Sequence, residues 1–168
     1  MTLEGQRPQT DRYTVIPRTL SFLISRDRIL LMKLGQSRGD WAGLYNGLGG
    51  HIERGESPHD SARREIEEET GLAPQDLKLC GIVIIDVGGD PGIGLYVFVG
   101  RGEGNPIKST EEGEPTWILL DDIDKMPLVP DLPTILPASL DVYRGEAPPF
   151  SGFYSFSEKG DLSIELGP

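Results

Sequence analysis

The sequence predicts an α/β fold of the α+β kind, in which helices pack on the faces of a mixed β-sheet. Short apolar runs, each the length of a β-strand, recur along the 168 residues and are separated by turn signals. One segment after Ser57 combines helix cap signals with apolar residues four apart. The chain shows no internal repeat and no low-complexity run. A sheet with helices on its faces is the economical way to bury these elements.

The first third of the chain predicts two strands. Residues 1–12 are mostly polar, and we expect them to form a flexible tail before a single domain over 13–168. Alternating apolar residues predict a strand over 13–25. After a turn, RILLMKL (28–34) predicts a second strand that is covered on both faces. The glycine-containing segment 35–46 predicts a loop.

A glycine-rich stretch with room for one brief strand precedes the predicted helix. Ser57 is a good N-cap, Pro58 suits the first helical position, and Asp60 completes a capping box. We expect the helix to run to about Thr70, where Gly71 provides the left-handed stop.

The second half of the chain predicts strands and one further helix. A polar loop is expected over 101–114, and Asp131 is the expected cap of a helix over 132–143, kinked or interrupted at Pro137. A short helical piece is expected around 121–125. The strands predicted here cover 77–86, 93–100, 117–120, 150–156 and 162–166, the last two forming a hairpin.

The charge composition restricts the partners. The formal net charge is −11, with 27 acidic and 16 basic residues. Such a surface repels nucleic-acid polymers and anionic membranes, and a phosphate ligand needs a cation to bridge it to the protein. The single cysteine, Cys80, excludes an internal disulfide and suits a reducing compartment. With no signal-peptide pattern, we expect a cytoplasmic protein.

Three glutamates of the predicted helix form a candidate metal site. At ~100° per residue, Glu68 and Glu69 lie at about 300° and 40° from Glu65, so all three point to one side. The like charges of Glu65 and Glu69 are four residues apart, and the carboxylates occupy the C-terminal half of the helix. Both arrangements destabilise a solvated helix. We therefore expect a bound cation, and oxygen ligands suit Mg²⁺ or Mn²⁺.

The segment 50–72, GHIERGESPHDSARREIEEETGL, resembles the Nudix box with no departures. A chance match of its seven fixed positions has a probability on the order of 10⁻⁸ per starting point. Those positions are Gly50, Glu56, Arg64, Glu65, Glu68, Glu69 and Gly71.

The resemblance implies a Nudix hydrolase with an α/β/α sandwich fold. It assigns the metal to Glu65, Glu68 and Glu69, and a supporting role to Glu56, which is expected to pair with Arg64. It also implies that Gly49 and Gly50 let phosphates approach the backbone. Glycine permits such close approach, and arginine can hold a carboxylate with two hydrogen bonds.

The expected chemistry is metal-assisted attack of water on a phosphorus atom. One glutamate would orient or deprotonate that water, and Glu69 and Glu112 are both candidates. Glu112, in the loop STEEGEPTW, is also a candidate metal ligand from outside the box. Glu111 and Glu114 compete for that role, and a solvated loop acid is an equal alternative.

Segments outside the box resemble the oxidised-purine nucleoside triphosphatase group of the Nudix family. The resemblance lies in LYNGLGGHIERGE, LVPDLP and PFSGFYSF. It implies that Asn46 and Asp131 bind the base and that Trp41 stacks on it. Asp131 is alternatively a helix cap, Asn46 a turn residue, and Trp41 a cover for the core.

Two further positions, Thr19 and Lys33, align loosely with pocket residues of that group and are alternatively ordinary strand residues. The sequence departs from the group at Val129 and Leu132, where the group has tryptophan and aspartate. These departures leave the base preference open.

Three functions follow from these patterns. The first is hydrolysis of a modified or oxidised purine nucleoside triphosphate to monophosphate and pyrophosphate. The second is hydrolysis of ADP-ribose or another nucleoside diphosphate derivative. The third, from a different class, is a nucleotide-binding regulatory module. Each has a small nucleotide as its partner, and the oligomeric state stays open.

Overall fold

A computed structural model describes residues 11–107, 109–157 and 159–168. The elements in these ranges are β1 (Val15–Ser25), β2 (Arg28–Leu34), β3 (Tyr45–Asn46), α1 (Pro58–Thr70), β4 (Gln75–Ile85), β5 (Gly92–Arg101), β6 (Gly113–Leu119), α2 (Leu132–Arg144), β7 (Phe150–Phe156) and β8 (Leu162–Gly167). Two 3-10 helices cover Gln36–Trp41 and Leu120–Lys125. The tail predicted over 1–12 falls almost entirely outside the described residues.

The strands form one mixed sheet in the order β3-β2-β1-β5-β4-β7-β8, and β6 pairs with β2. The β1–β5 and β4–β7 pairs are parallel, and the other pairs are antiparallel. Helix α1 packs against β1, and α2 packs against β4 and β5. The predicted mixed sheet with helices on its faces is therefore confirmed.

Two apolar clusters hold the layers together. The larger cluster joins α2 to the sheet and includes Phe22, Val97, Leu132 and Ile135. The smaller cluster joins Ile66 of α1 to residues of β1 and β2. Ile66 is fully buried, so the apolar side of α1 is fixed on the sheet and its other side is free to carry chemistry.

The caps of α1 follow the sequence. The Ser57 hydroxyl oxygen accepts the Asp60 N–H at 3.1 Å, and the same hydroxyl donates to the Asp60 carboxylate at 2.7 Å. Gly71 ends the helix with φ 72°, and its N–H donates to the Glu67 carbonyl. Both ends of α1 are thereby set by local interactions.

Three predicted segments differ from the structure. Residues 35–46, predicted as a loop, contain a 3-10 helix and β3. The predicted loop 101–114 ends early because β6 already begins at Gly113, where it pairs with Leu34. Helix α2 runs through Pro137 without interruption. The first two errors arise because pairing with distant strands, rather than local composition, fixes these segments.

Asp131 is the N-cap residue of α2, as predicted, but its side chain does not make the expected capping hydrogen bond. Asp131 precedes α2, yet its side chain makes no cap hydrogen bond, because its backbone is helical (φ −87°, ψ −20°) rather than extended. No helix among the described residues has the length and apolarity to cross a membrane.

Candidate active site

Helix α1 presents the box carboxylates at graded depths. Glu69 is 7% exposed and buried, whereas the Glu68 side chain is 60% exposed. Glu65 lies between these extremes. The predicted common side of the helix thus runs from the protein interior to solvent.

The glycine loop, residues 47–50, lies along β1 and faces this side of α1. The Ser21 N–H donates to the Leu48 carbonyl at 2.7 Å, and the Leu48 N–H donates back at 2.9 Å. The Thr19 N–H donates to the Gly50 carbonyl at 2.9 Å. These bonds fix Gly49 and Gly50 beside the helix, and the Thr19 hydroxyl accepts a weak bond from the Gly50 N–H at 3.4 Å.

The two loop positions have little room for a side chain. Gly49 has φ 137°, and a Cβ there would lie 2.3 Å from the Thr19 carbonyl oxygen. A Cβ on Gly50 would lie 2.5 Å from Glu65 Oε1. The Glu65 carboxylate therefore packs directly on the Gly50 backbone, and the approach of phosphates to this loop stays a prediction.

Glu69 is a buried carboxylate, and its Oε2 accepts a hydrogen bond from the Gly49 N–H at 2.9 Å. Burial raises the pKa of Glu69 to about 8. The neighbouring charges of Glu65 and Glu68 raise this pKa as well, while the Gly49 N–H and the Arg38 guanidinium lower it. Burial is thus the main reason that the charged form of Glu69 is disfavoured, and the neighbouring carboxylates add to it.

Arg64 ties the carboxylates together. It holds Glu56 with two hydrogen bonds, Nε to Oε1 at 2.6 Å and Nη2 to Oε2 at 3.1 Å. Its Nη1 donates to Glu65 at 2.9 Å and to Glu68 at 3.0 Å. Its Nη2 also donates to the His51 carbonyl at 3.1 Å, so the guanidinium links α1 to the glycine loop.

The electrostatics of the Arg64–Glu56 pair follow from this contact. Hydrogen bonds from Arg64 lower the pKa of Glu56 to about 2, assisted by the Glu53 N–H. Hydrogen bonds to Glu56 in turn raise the pKa of Arg64. The expected pairing of Glu56 with Arg64 is therefore observed, with two hydrogen bonds between the charged groups.

Glu112 lies at the edge of the same site through a contact that the sequence did not predict. It forms an ion pair with Arg38, whose charge acts on Glu69. The Gly35 N–H donates to the Glu112 carbonyl at 3.0 Å and fixes the loop backbone. Arg38 is the sole basic residue in 35–46, a signal that sequence reasoning could have used. Glu111 and Glu114 are both exposed.

The carboxylates do not form a closed metal cage. Within residues 11–107, 109–157 and 159–168, no group of three histidine, cysteine, aspartate or glutamate side chains meets the geometry of a metal site. The reason is visible in the contacts: Arg64 occupies the space between Glu65 and Glu68, and Glu69 turns toward Gly49. The assignment of the metal to Glu65, Glu68, Glu69 and Glu112 stays a prediction.

The two predicted base-binding residues lie on segments that are hydrogen-bonded to each other. The Tyr45 N–H donates to the Pro127 carbonyl at 2.8 Å, and the Val129 N–H donates to the Tyr45 carbonyl at 3.0 Å. Asn46 and Asp131 each follow this junction closely. The Asn46 side chain accepts the Gly47 N–H at 2.8 Å, and its backbone pairs with Met32, so Asn46 is a strand residue rather than a turn residue.

The remaining candidates are distributed more widely. Thr19 is buried against the glycine loop, whereas Lys33 is exposed on β2. Trp41 is 46% exposed, so the alternative that it covers the core is wrong. Its ring is free to stack on a ligand.

Comparison with known proteins decides the family. The model of the Nudix domain matches residues 16–138, which is most of the chain. The chain belongs to the Nudix family. It is a Nudix hydrolase, and hydrolases of this family generally need a divalent metal ion.

Similar proteins support this Nudix assignment over most of the chain. The oxidized purine nucleoside triphosphate hydrolase of Mus musculus is 33% identical, over 86% of this chain and 88% of the relative. The protein of the same name from Danio rerio is 37% identical, over 65% of this chain and 67% of the relative.

The fold also matches a solved Nudix structure. The crystal structure of a mutator MutT protein from Bacillus halodurans has a TM-score of 0.75 and 24% identity, and covers 92% of this chain and 99% of that one. This likeness concerns the fold.

Proposed function

We propose that this Nudix hydrolase cleaves oxidised or otherwise modified purine nucleoside triphosphates to the monophosphate and pyrophosphate. The observation that carries the proposal is the junction of two parts. Glu65 and Glu69 pack on Gly50 and Gly49, and the Tyr45–Val129 hydrogen bond joins the segments that carry Asn46 and Asp131. The names and the overall similarity of the mouse and zebrafish relatives support the same substrate class.

The donor set fits a divalent cation. Glu69 is buried beside two other negative charges that raise its pKa, and its neighbours at the site offer oxygen atoms rather than nitrogen or sulfur. Hard cations such as Mg²⁺ and Mn²⁺ prefer this chemistry. Glu65, Glu68, Glu69 and Glu112 are the residues that would hold the ion. When bound, it supplies charge neutralisation for phosphate oxygens and a more acidic water.

Residues of the glycine loop and α1 would orient the carboxylates and the attacking water. Because Gly49 and Gly50 carry no side chains, the loop backbone lies directly against Thr19 and the Glu65 carboxylate and holds that carboxylate in place. Arg64 is fully engaged with carboxylates and the His51 carbonyl, so its role is to position Glu65 and Glu56 rather than to bind substrate. The Gly49 N–H holds Glu69 Oε2, which leaves Oε1 to orient or accept a proton from the attacking water.

The residues expected to bind the base would determine which purine is accepted. The Asp131 carboxyl makes no helix cap and is free to accept hydrogen bonds from a purine edge. Asn46 lies on β3, which pairs with β2. The exposed ring of Trp41 offers a surface on which a base can stack. A modified purine would be distinguished by hydrogen bonds at its edge, because unpaired polar groups in such a site are costly.

The test is hydrolysis of a panel with Mg²⁺: dGTP, 8-oxo-dGTP, 2-oxo-dATP, ADP-ribose and a nucleotide sugar. We expect kcat/KM for an oxidised purine triphosphate to exceed that for dGTP by at least about tenfold, which corresponds to one discriminating hydrogen bond. Cleavage of ADP-ribose or the nucleotide sugar alone would overturn the proposed substrate. Binding of nucleotides without any cleavage would favour a regulatory module.

Two variants assign the base end. Asp131→Asn should raise KM for the preferred purine triphosphate by about tenfold with little change in kcat, because one acceptor oxygen is replaced by an NH2 donor and the negative charge is removed. Asp121→Asn, at an exposed position in the 3-10 helix before α2, is the matched control and should behave like wild type. Equal kinetics for the two variants would remove Asp131 from base recognition.

A further inference from the structure

A tyrosine hydroxyl is buried without a partner near Asp131. Tyr154 on β7 is 2% exposed. Its hydroxyl oxygen is out of contact with solvent and has no hydrogen-bond partner within the part of the chain that the structure describes. A phenylalanine would fill the same apolar space without this unmet hydrogen bond. The hydroxyl therefore calls for a function that the folded chain alone does not supply.

The side chain of Tyr154 belongs to the apolar cluster under α2. Val129 and Leu132, which flank Asp131 closely in sequence, are buried members of the same cluster. Burial raises the pKa of the Tyr154 hydroxyl, and the charge of Asp131 raises it further. The Asp131 carboxyl is thus the charged group that acts on Tyr154.

Asp131 does not use its carboxyl to cap the helix that follows it. Its side chain makes no cap bond to α2, and desolvation raises its pKa. Tyr154 packs under α2 and Asp131 directly precedes that helix, so the two residues lie on the same side of the sheet. Buried polar groups that the protein leaves unpaired are the groups that a ligand can pair.

We propose that Tyr154 is a specificity-determining residue of this hydrolase, which positions the Asp131 carboxyl for the polar edge of a purine. The Tyr154 O–H donates to that carboxyl when the base is bound and fixes the direction of its remaining lone pairs. The ligand chemistry is a purine whose edge offers N–H donors, as 2-amino-6-oxopurines do. This inference rests on the proposed function.

Three features make the assignment specific to this residue. The backbone of Tyr154 is already fixed, because its carbonyl accepts the Asp86 N–H at 2.8 Å and its strand pairs on both sides. Its ring is held by the apolar cluster. Removing the hydroxyl alone therefore changes the polar pair and leaves the packing unchanged.

The experiment compares the full-length wild type with Tyr154→Phe, and uses Tyr143→Phe as the matched control. Tyr143 is half-buried on α2 and lies outside the site. Each protein is assayed with Mg²⁺ on 8-oxo-dGTP and on the triphosphate of unsubstituted purine, whose corresponding edge has acceptor nitrogens but no N–H donors. Thermal unfolding in EDTA is recorded for all three proteins.

We expect Tyr154→Phe to raise KM for 8-oxo-dGTP by about tenfold, the effect of one lost hydrogen bond to a charged group. Its kcat should change little, and its kinetics on the unsubstituted purine should match wild type. Its melting temperature should be equal or higher, since an unpaired hydroxyl is removed. A merely structural hydroxyl would do the reverse, lowering the melting temperature and leaving KM unchanged.

The outcomes separate this inference from the proposed function. If wild type releases pyrophosphate from 8-oxo-dGTP and Tyr154→Phe has the same KM, the inference is wrong and the function stands. The inference is also wrong if KM rises equally for both substrates or if Tyr143→Phe gives the same change. If wild type cleaves no purine triphosphate at all, both are wrong.

Discussion

Replacing Glu69 with glutamine should stabilise the metal-free protein and at the same time abolish its activity. Glutamine retains an oxygen that accepts the Gly49 N–H, so the 2.9 Å contact can persist. What it removes is a negative charge that is buried beside Glu65 and Glu68. The substitution therefore isolates the cost of holding that charge in the fold.

The size of the expected gain in stability follows from the pKa of Glu69, which burial raises from 4.5 to about 8. Because the folded state holds this proton more tightly, the unfolded state binds fewer protons between these two values, and stability falls as pH rises through that window. At ~1.4 kcal/mol per pKa unit, the charged carboxylate costs about 4 kcal/mol at pH 8 and less than about 1 kcal/mol at pH 5. Glu69→Gln removes this cost.

The assay is urea unfolding in EDTA at pH 5, 6.5 and 8. The free energy of unfolding of Glu69→Gln should exceed that of wild type by about 4 kcal/mol at pH 8, with a rise in melting temperature on the order of 10 °C, and the two should converge toward pH 5. Hydrolysis of the preferred substrate with Mg²⁺ should fall by roughly 100-fold or more, as expected when a metal ligand or water-orienting group is lost.

Glu67→Gln is the matched control, because it removes the same charge from an exposed position of α1. It should show neither the gain in stability nor the loss of activity. The reasoning is refuted if Glu69→Gln is less stable than wild type at pH 8, or if the difference between the two proteins does not change with pH.

Three further predictions test the supporting contacts. In Glu56→Gln the free energy of unfolding should depend less on pH below 4.5 than it does in wild type. The pKa of Glu56 is about 2, so this carboxylate stabilises the fold above pH 4.5 and loses that effect as pH falls toward 2. Urea titrations from pH 2.5 to 5 measure the difference. Gly50→Ala should lower kcat/KM by at least about tenfold by displacing Glu65, whereas Gly89→Ala, where a Cβ meets nothing within 4 Å, should not. EDTA should abolish hydrolysis and Mg²⁺ should restore it.

Each of these has a contradicting result. If the stability of Glu56→Gln depends on pH below 4.5 as strongly as that of wild type, the ion pair between Glu56 and Arg64 contributes nothing to stability. Equal kcat/KM in Gly50→Ala and Gly89→Ala would mean that Glu65 does not need its close contact with the loop. Full activity in EDTA would rule out a required divalent cation at the carboxylates.

Local signals in the sequence predicted the parts of the molecule that local interactions build. The ends of α1 follow from Ser57 and Gly71, whose cap interactions lie within four residues. The strand Arg28–Leu34 was predicted with its observed bounds because the whole run is apolar enough to be buried. The facing of Glu65 and Glu69 follows from helical spacing alone.

Long-range pairing decided what the sequence did not predict. Strand β3 exists because Tyr45 and Asn46 pair with β2, and β6 begins early because Gly113 and Glu114 pair with Leu34 and Lys33. The Arg38–Glu112 ion pair joins residues 74 positions apart and has no local signature. The unpaired hydroxyl of Tyr154 is likewise a property of three-dimensional packing, and a strand pattern treats it as one more apolar residue.

The most direct test of the proposed reaction is phosphorus-31 NMR of the products formed from 8-oxo-dGTP with Mg²⁺. The account predicts two products in equal amounts, the nucleoside monophosphate and pyrophosphate, and no signal above background when Glu65→Gln replaces wild type. Release of orthophosphate with a nucleoside diphosphate, or an unchanged rate in Glu65→Gln, would contradict it.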